Sequence, residues 1–396
     1  MQIEEPGNEP GGITAWPVFQ TGFRSFFFLA AIFMVLALST WLWIFAGEGS
    51  APLYYGAVGW HAHEMLFGYT VAVVAGFLLT AVRNWTGETA ASGGKLMALV
   101  ILWLAGRILP WLGGPVANEL VAVVDLLFLP LLAVTIALPL FHQQQKRNYI
   151  FVALLLLMAI ANGLIHAQLL GLTLTSAQLG FDAMVYMLVL TIIVMGGRVI
   201  PFFTERGVEG VVVRKRRWVE LISIGSFVLL ALTDLAGLPA HYIGAVAIVA
   251  TVSHIIRMSG WFDARLLAVP LVWVLHSAYA WIIVGIALKA LDANQYASHA
   301  LHAFTAGGIG IMTLGMMCRV ALGHTGRTLE VKPVIALAFV LINIAVLIRV
   351  ISPIFLIGVY LELASYAGVL FVLSFLPFIW IYGPILLSRR VDGRSG

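Results

Sequence analysis

Residues 62–82 read Ala62-His-Glu-Met-Leu-Phe-Gly-Tyr-Thr-Val-Ala-Val-Val-Ala-Gly-Phe-Leu-Leu-Thr-Ala-Val82. One imidazole, His63, and one acid, Glu64, open an otherwise uncharged apolar run. About 20 such residues in a helix cross the hydrocarbon of a bilayer. Similar runs occupy Arg24–Ala46, Leu96–Leu112, Ala117–Phe141, Tyr149–Leu170, Leu179–Ile200, Trp218–Leu235, Tyr242–Ile256, Leu266–Leu288, Ser298–Ala321, Val334–Ile351 and Ile357–Leu386. Of the 396 residues, 61% are hydrophobic and only 10% charged, where soluble domains keep about 25% charged. The expected fold class is therefore an all-α membrane protein of about twelve transmembrane helices. The expected organisation is an N-terminal tail over 1–17, one transmembrane domain over 18–387 and a C-terminal tail over 388–396.

Loop charges suggest an orientation. The loops after the second, fourth, sixth, eighth and tenth spans carry Arg83 and Lys95, Lys146 and Arg147, Arg206 and Arg214 to Arg217, Arg257 and Arg265, and Arg327 and Lys332. The odd-numbered loops carry almost none, Lys289 being the main exception. Basic residues favour the cytoplasmic side, so both termini and the even loops are expected there. The net charge of +4 sits in these short loops and argues against a nucleic-acid partner. Cys318 is the single cysteine, which excludes intramolecular disulfides, covalent CxxCH heme attachment and clusters held by several thiolates. No Walker loop, HExxH, GxSxG or CxxC pattern occurs.

A weak internal repeat runs through the chain. A shift of 239 residues lays His63, Gly68, Gly76, Thr86 and Gly87 on His302, Gly307, Gly315, Thr325 and Gly326. A shift of 121 lays Met195, Arg198, Val199 and Thr204 on Met316, Arg319, Val320 and Thr325. The second, sixth and tenth spans are four apart, which suggests three four-helix arcs.

Ten histidines supply the candidate chemistry. His61 and His63 open the second span, His299 and His302 the tenth; His166 is expected near the outer end of the fifth and His276 near the middle of the ninth. A helix turns about 100° per residue, so His61 and His63 point about 200° apart and can serve two sites. His299 and His302 are about 60° apart and can serve one site or two adjoining ones. Neutral imidazole suits a metal in a low-dielectric interior, and it ligates heme iron and copper well. Acids within a bilayer are costly and usually functional. Glu64, Asp125, Asp182 and Glu362 fall in the expected outer half, and Glu64 is placed to hydrogen-bond a liganding imidazole or to carry protons. Arg198 and Arg319 lie near the inner ends of their helices, where heme propionates, carboxylates or the membrane interface are the alternatives.

Several segments carry a resemblance. Phe23-Arg-Ser-Phe-Phe-Phe28, Trp60-His-Ala-His-Glu-Met-Leu-Phe-Gly-Tyr69, Gly76-Phe-Leu-Leu-Thr-Ala81 with Asn84-Trp-Thr-Gly87, Arg198-Val-Ile-Pro-Phe-Phe-Thr204, and Leu314-Gly-Met-Met-Cys-Arg-Val320 with Leu322-Gly-His-Thr-Gly-Arg327 resemble the NnrS family. The resemblance implies a bacterial inner-membrane protein containing heme and copper and serving nitric oxide metabolism. The helix plan also resembles the catalytic subunit of heme–copper oxidases, with three arcs and heme histidines on the second and tenth helices. The seventh span here holds no histidine pair, so that likeness concerns architecture only.

The leading expectation is a heme and copper protein that binds nitric oxide and reduces it to nitrous oxide, an oxidoreductase. His63 and His302 are the expected axial ligands of heme b, with one or two hemes bound. His61, His166, His276 and His299 would serve a second heme or a copper ion, and Arg198 and Arg319 the propionates. Glu64, His61 and His276 are the expected catalytic groups. Electrons would come from quinol or a separate donor protein. The alternatives are a non-enzymatic nitric oxide sensor, scavenger or metal-handling protein, and a small-solute or metal transporter.

Overall fold

The structure, a computed structural model, describes residues 12–113 and 116–393. Residues 1–11 of the expected N-terminal tail, and residues 394–396 with Arg394, lie outside the described residues. Among the described residues twelve helices are long and apolar enough to cross a membrane. They are α1 (Gly22–Phe45), α2 (Gly56–Thr86), α3 (Gly93–Leu112), α4 (Asn118–His142), α5 (Lys146–Leu169), α6 (Ser176–Gly207), α7 (Arg217–Leu235), α8 (Ala240–Ser259), α9 (Pro270–Asp292), α10 (Ala297–His324), α11 (Pro333–Phe355) and α12 (Tyr360–Leu387). The chain is a multi-pass membrane protein.

Some helix limits differ from the sequence expectation. α2 begins at Gly56 and not Ala62, so His61 and His63 lie beyond its first turn. α6 continues through Pro201 to Gly207, past the expected end at Ile200. Membrane helices tolerate proline because neighbouring groups re-satisfy the freed carbonyl. α9 begins at Pro270, after a short 3-10 turn at Ala264–Ala268, and not at Leu266. Proline suits a first helical turn, where its missing N–H costs nothing.

α2 and α10 are the most enclosed of the twelve. α10 is also the least apolar, which its position permits, since its polar groups meet protein and not acyl chains. α1 packs on α2, α10 and α12, while α9 packs on α6, α8 and α10. The Tyr69 and Thr313 hydroxyls hydrogen-bond at 2.7 Å and tie α2 to α10 in mid-helix.

α2 and α10 also match in detail. Each carries a π-helical segment, Glu64–Thr70 in α2 and Ala303–Ile311 in α10. His63 and His302 immediately precede these segments. Near the far ends, Thr86 Oγ1 donates to the Val82 carbonyl at 2.7 Å and Thr325 Oγ1 to the Ala321 carbonyl at 2.6 Å. Gly87 and Gly326 follow with φ of 78° and 76°, a left-handed conformation that only glycine adopts without strain. α6 shares the threonine bond, Thr204 to Ile200, but it is α-helical throughout Ser176–Gly207.

Candidate metal centre

The α2 π segment organises a fully buried polar cluster. Thr70 Oγ1 donates to the Met65 carbonyl five residues back, at 2.7 Å, which follows the wider turn. His63 lies at the start of that turn, and π segments are frequent at functional sites. Its Nε2 is 3.2 Å from Asp125 Oδ2 of α4 and 3.2 Å from Asn162 Oδ1 of α5. His166, one turn further along α5, brings Nε2 to 3.1 Å from the same Asp125 oxygen. Donor atoms of His63, Asp125 and His166 all lie within 4.8 Å of one another.

Other buried groups hold these ligands in place. Arg107 Nη1 donates to Glu64 Oε2 at 2.7 Å, and Nη2 donates to Asp125 Oδ1. His63 Nδ1 lies 3.4 Å from Glu64 Oε1. Tyr54 OH is 2.7 Å from His166 Nδ1, and the Tyr55 ring stacks on His63 at 4.4 Å. Burial, with Glu119 nearby, raises the pKa of the Tyr54 hydroxyl, so it stays protonated. With neutral imidazoles, two carboxylates face one guanidinium, and the cluster keeps a single negative charge. A bound cation would offset it. A cavity of about 10 Å³ adjoins Arg107, Asp125 and Asn162, room for about one water-sized molecule.

A second imidazole cluster gathers at the α10 π segment. His302 Nδ1 donates to the Ser298 carbonyl at 2.8 Å, and His299 Nδ1 to the Val350 carbonyl at 2.9 Å. In a neutral ring, this Nδ1–H tautomer leaves Nε2 as the lone-pair nitrogen, the form a metal takes. Arg349 Nη2 donates to His302 Nε2 at 3.2 Å and to Tyr360 OH at 2.9 Å. His61 and His299 lie within electrostatic range of His302. The His61 ring stacks on Trp41 at 4.3 Å, and its Nδ1 and Arg349 Nη1 are buried without a hydrogen-bond partner.

The family model described as NnrS protein matches residues 17–390, nearly the whole chain. The chain belongs to the NnrS family. That family is associated with nitric oxide metabolism. A search of curated proteins finds no match.

Within this NnrS chain, His63 and His302 have different neighbours. His63 joins His166 and Asp125, whereas His302 hydrogen-bonds Arg349, with His61 and His299 in its surroundings. His276 stands apart, near the start of α9, on the side where the even-numbered loops lie. Its Nδ1 donates to the Val272 carbonyl at 3.1 Å, and its Nε2 is buried without a partner. Arg198 also lies toward the even-loop face, donating to Asn148 Oδ1 at 2.7 Å. Arg319 is buried, with its guanidinium 3.8 Å over the Phe203 ring. Asp182 accepts from Gln178, and Glu362 is exposed in the first turn of α12.

The buried His63–Asp125–His166 donor set fits metal binding. Two imidazoles and a carboxylate suit a divalent copper or a non-heme iron ion, and paired neutral imidazoles suit heme iron. Arg107, Arg349, Tyr54, Tyr55 and Asn162 were not singled out by the sequence reading. The arginines carry a signal that could have found them: each is a cation inside an apolar span. The tyrosines sit in the loop before α2 and carry none.

Proposed function

We propose that this protein binds and removes nitric oxide at two metal centres near its odd-loop face. The buried convergence of His63, Asp125 and His166 carries this reading. These residues would hold a copper or non-heme iron ion, and His299 and His302, with His61 beside them, would supply heme-ligating nitrogens. Such metals would supply one-electron chemistry toward the diatomic radical. The net reaction joins two nitric oxide molecules, two electrons and two protons into nitrous oxide and water. Electrons would come from quinol or a separate donor protein. Glu64, gripped by Arg107, would orient the His63 ring and hand on protons. The apolar helices would admit the gas from lipid.

The test uses full-length protein purified from its membrane. Metal analysis and an optical spectrum should show iron or copper with a Soret band, and reductant with nitric oxide should yield nitrous oxide. Protein that retains neither metal would overturn the reading. A stoichiometric nitric oxide binder is the second reading, favoured by the tight mutual hydrogen bonding of the His63 cluster. It would yield a nitrosyl spectrum and no nitrous oxide.

A further inference from the structure

On the even-loop face, the ends of α2, α5, α6 and α7 border a cavity of about 720 Å³. Its basic lining is Arg147, Arg198 and Lys215. Arg198 is held in place from two sides. Its Nη1 donates to Asn148 Oδ1 at 2.7 Å and its Nη2 to the Arg147 carbonyl at 3.3 Å. Both acceptors are neutral, so they position the guanidinium without cancelling its charge. Its carbon also sits 5.5 Å over the Phe151 ring.

One acid, Glu220, lines the cavity, and it is already engaged. Arg257 Nε and Nη2 donate to its two oxygens at 3.0 and 2.5 Å. The three lining cations thus outweigh the local acid. Gln145 and Asn148 also line the cavity, and one wall is apolar, with Val194, Phe202 and Ile224; the Phe202 side of α6 is exposed. A cationic floor beside an apolar, outward-facing wall suits a molecule with a charged head and a hydrocarbon tail. A freely soluble anion would gain nothing from that wall.

We propose that this cleft binds an anionic phospholipid. The phosphate sits among Arg147, Arg198 and Lys215, and an acyl chain runs along Val194, Phe202 and Ile224. Basic pockets between membrane helices take acidic headgroups, and charge-assisted bonds to phosphate are the strong ones. Three cations exceed the charge of one phosphodiester, so a two-phosphate lipid should bind more tightly than a one-phosphate lipid. This site is separate from both imidazole clusters and does not rest on the function proposed above.

The experiment uses delipidated full-length protein in detergent, read by native mass spectrometry and by thermal unfolding. Diphosphatidylglycerol, phosphatidylglycerol, phosphatidylethanolamine and inorganic phosphate are added separately. The expected order of retention is diphosphatidylglycerol, then phosphatidylglycerol, then phosphatidylethanolamine. Lys215→Gln and Arg198→Gln should each weaken anionic-lipid binding about fivefold. Lys95→Gln, on the same face outside the cleft lining, should leave it unchanged. Lys215 is exposed, so its variant tests the cleft without threatening the fold. Equal retention of phosphatidylethanolamine, equal stabilisation by inorganic phosphate, or unchanged binding by Lys215→Gln would each overturn the proposal.

Discussion

Arg349 Nη2 lies 3.2 Å from His302 Nε2, the relation that Arg107 Nη1 bears to His63 Nδ1 at 3.5 Å. In both cases a guanidinium from the next helix reaches the imidazole that precedes a π segment. The surroundings differ. Arg107 also binds Glu64 and Asp125, whereas the hydrogen-bond partners of Arg349, His302 and Tyr360, include no carboxylate.

That difference predicts unequal costs of removal. Arg107→Gln leaves two buried carboxylates without their cation, and breaking such a pair costs about 3–5 kcal/mol. Arg349→Gln strands no acid and should lower the unfolding temperature in detergent by much less. Equal unfolding temperatures for the two variants would contradict this account of the charges.

The His63 cluster predicts a graded loss of metal. His63→Ala and His166→Ala each delete a ligand and should abolish stoichiometric copper or non-heme iron. Tyr54→Phe keeps both ligands but removes the hydroxyl beside His166 Nδ1. Loss of such a supporting bond should weaken metal affinity about 10–100-fold. Elemental analysis after dialysis against a graded chelator separates the two ligand deletions from Tyr54→Phe.

The α10 cluster predicts an independent signature. His302→Ala or His299→Ala should reduce heme content or shift the Soret band while copper stays bound. His276→Ala should leave that band in place, because His276 lies near the other face. A spectrum that responds only to His276 would move the heme site to the even-loop side.

The π segment of α2 leaves little space. A Cβ on Gly68 would stand 2.6 Å from both Glu64 Oε2 and the Phe33 ring, and 3.2 Å from Arg107 Nη1. Gly68→Ala should therefore cost about 1–3 kcal/mol, typical of overpacking. It should also loosen metal at His63 by displacing Glu64. Chelator resistance and thermal unfolding of the same preparation would show both effects.

The twelve spans were legible because lipid leaves a chain few choices. Each crossing must bond its own backbone and offer a long apolar run, so composition announces it. The repeat was legible at Thr86 and Gly87 against Thr325 and Gly326, since helix ends use local chemistry. The candidate site was legible only as a list of imidazoles and acids. The 100° step separates His61 from His63, but it says nothing of which distant helix each ring meets. The π turns escape the sequence because a helical wheel assumes a constant step, and these segments break it.

By itself the amino-acid order determined the number of membrane crossings and the residue types available for chemistry. Both follow from single helices meeting a hydrocarbon solvent. Only the tertiary structure decided that His63 meets Asp125 and His166, that His302 meets Arg349, and that Arg107 holds two carboxylates at once. Those groupings depend on the packing of helices far apart in the chain, and on buried charges that must find partners where water is absent.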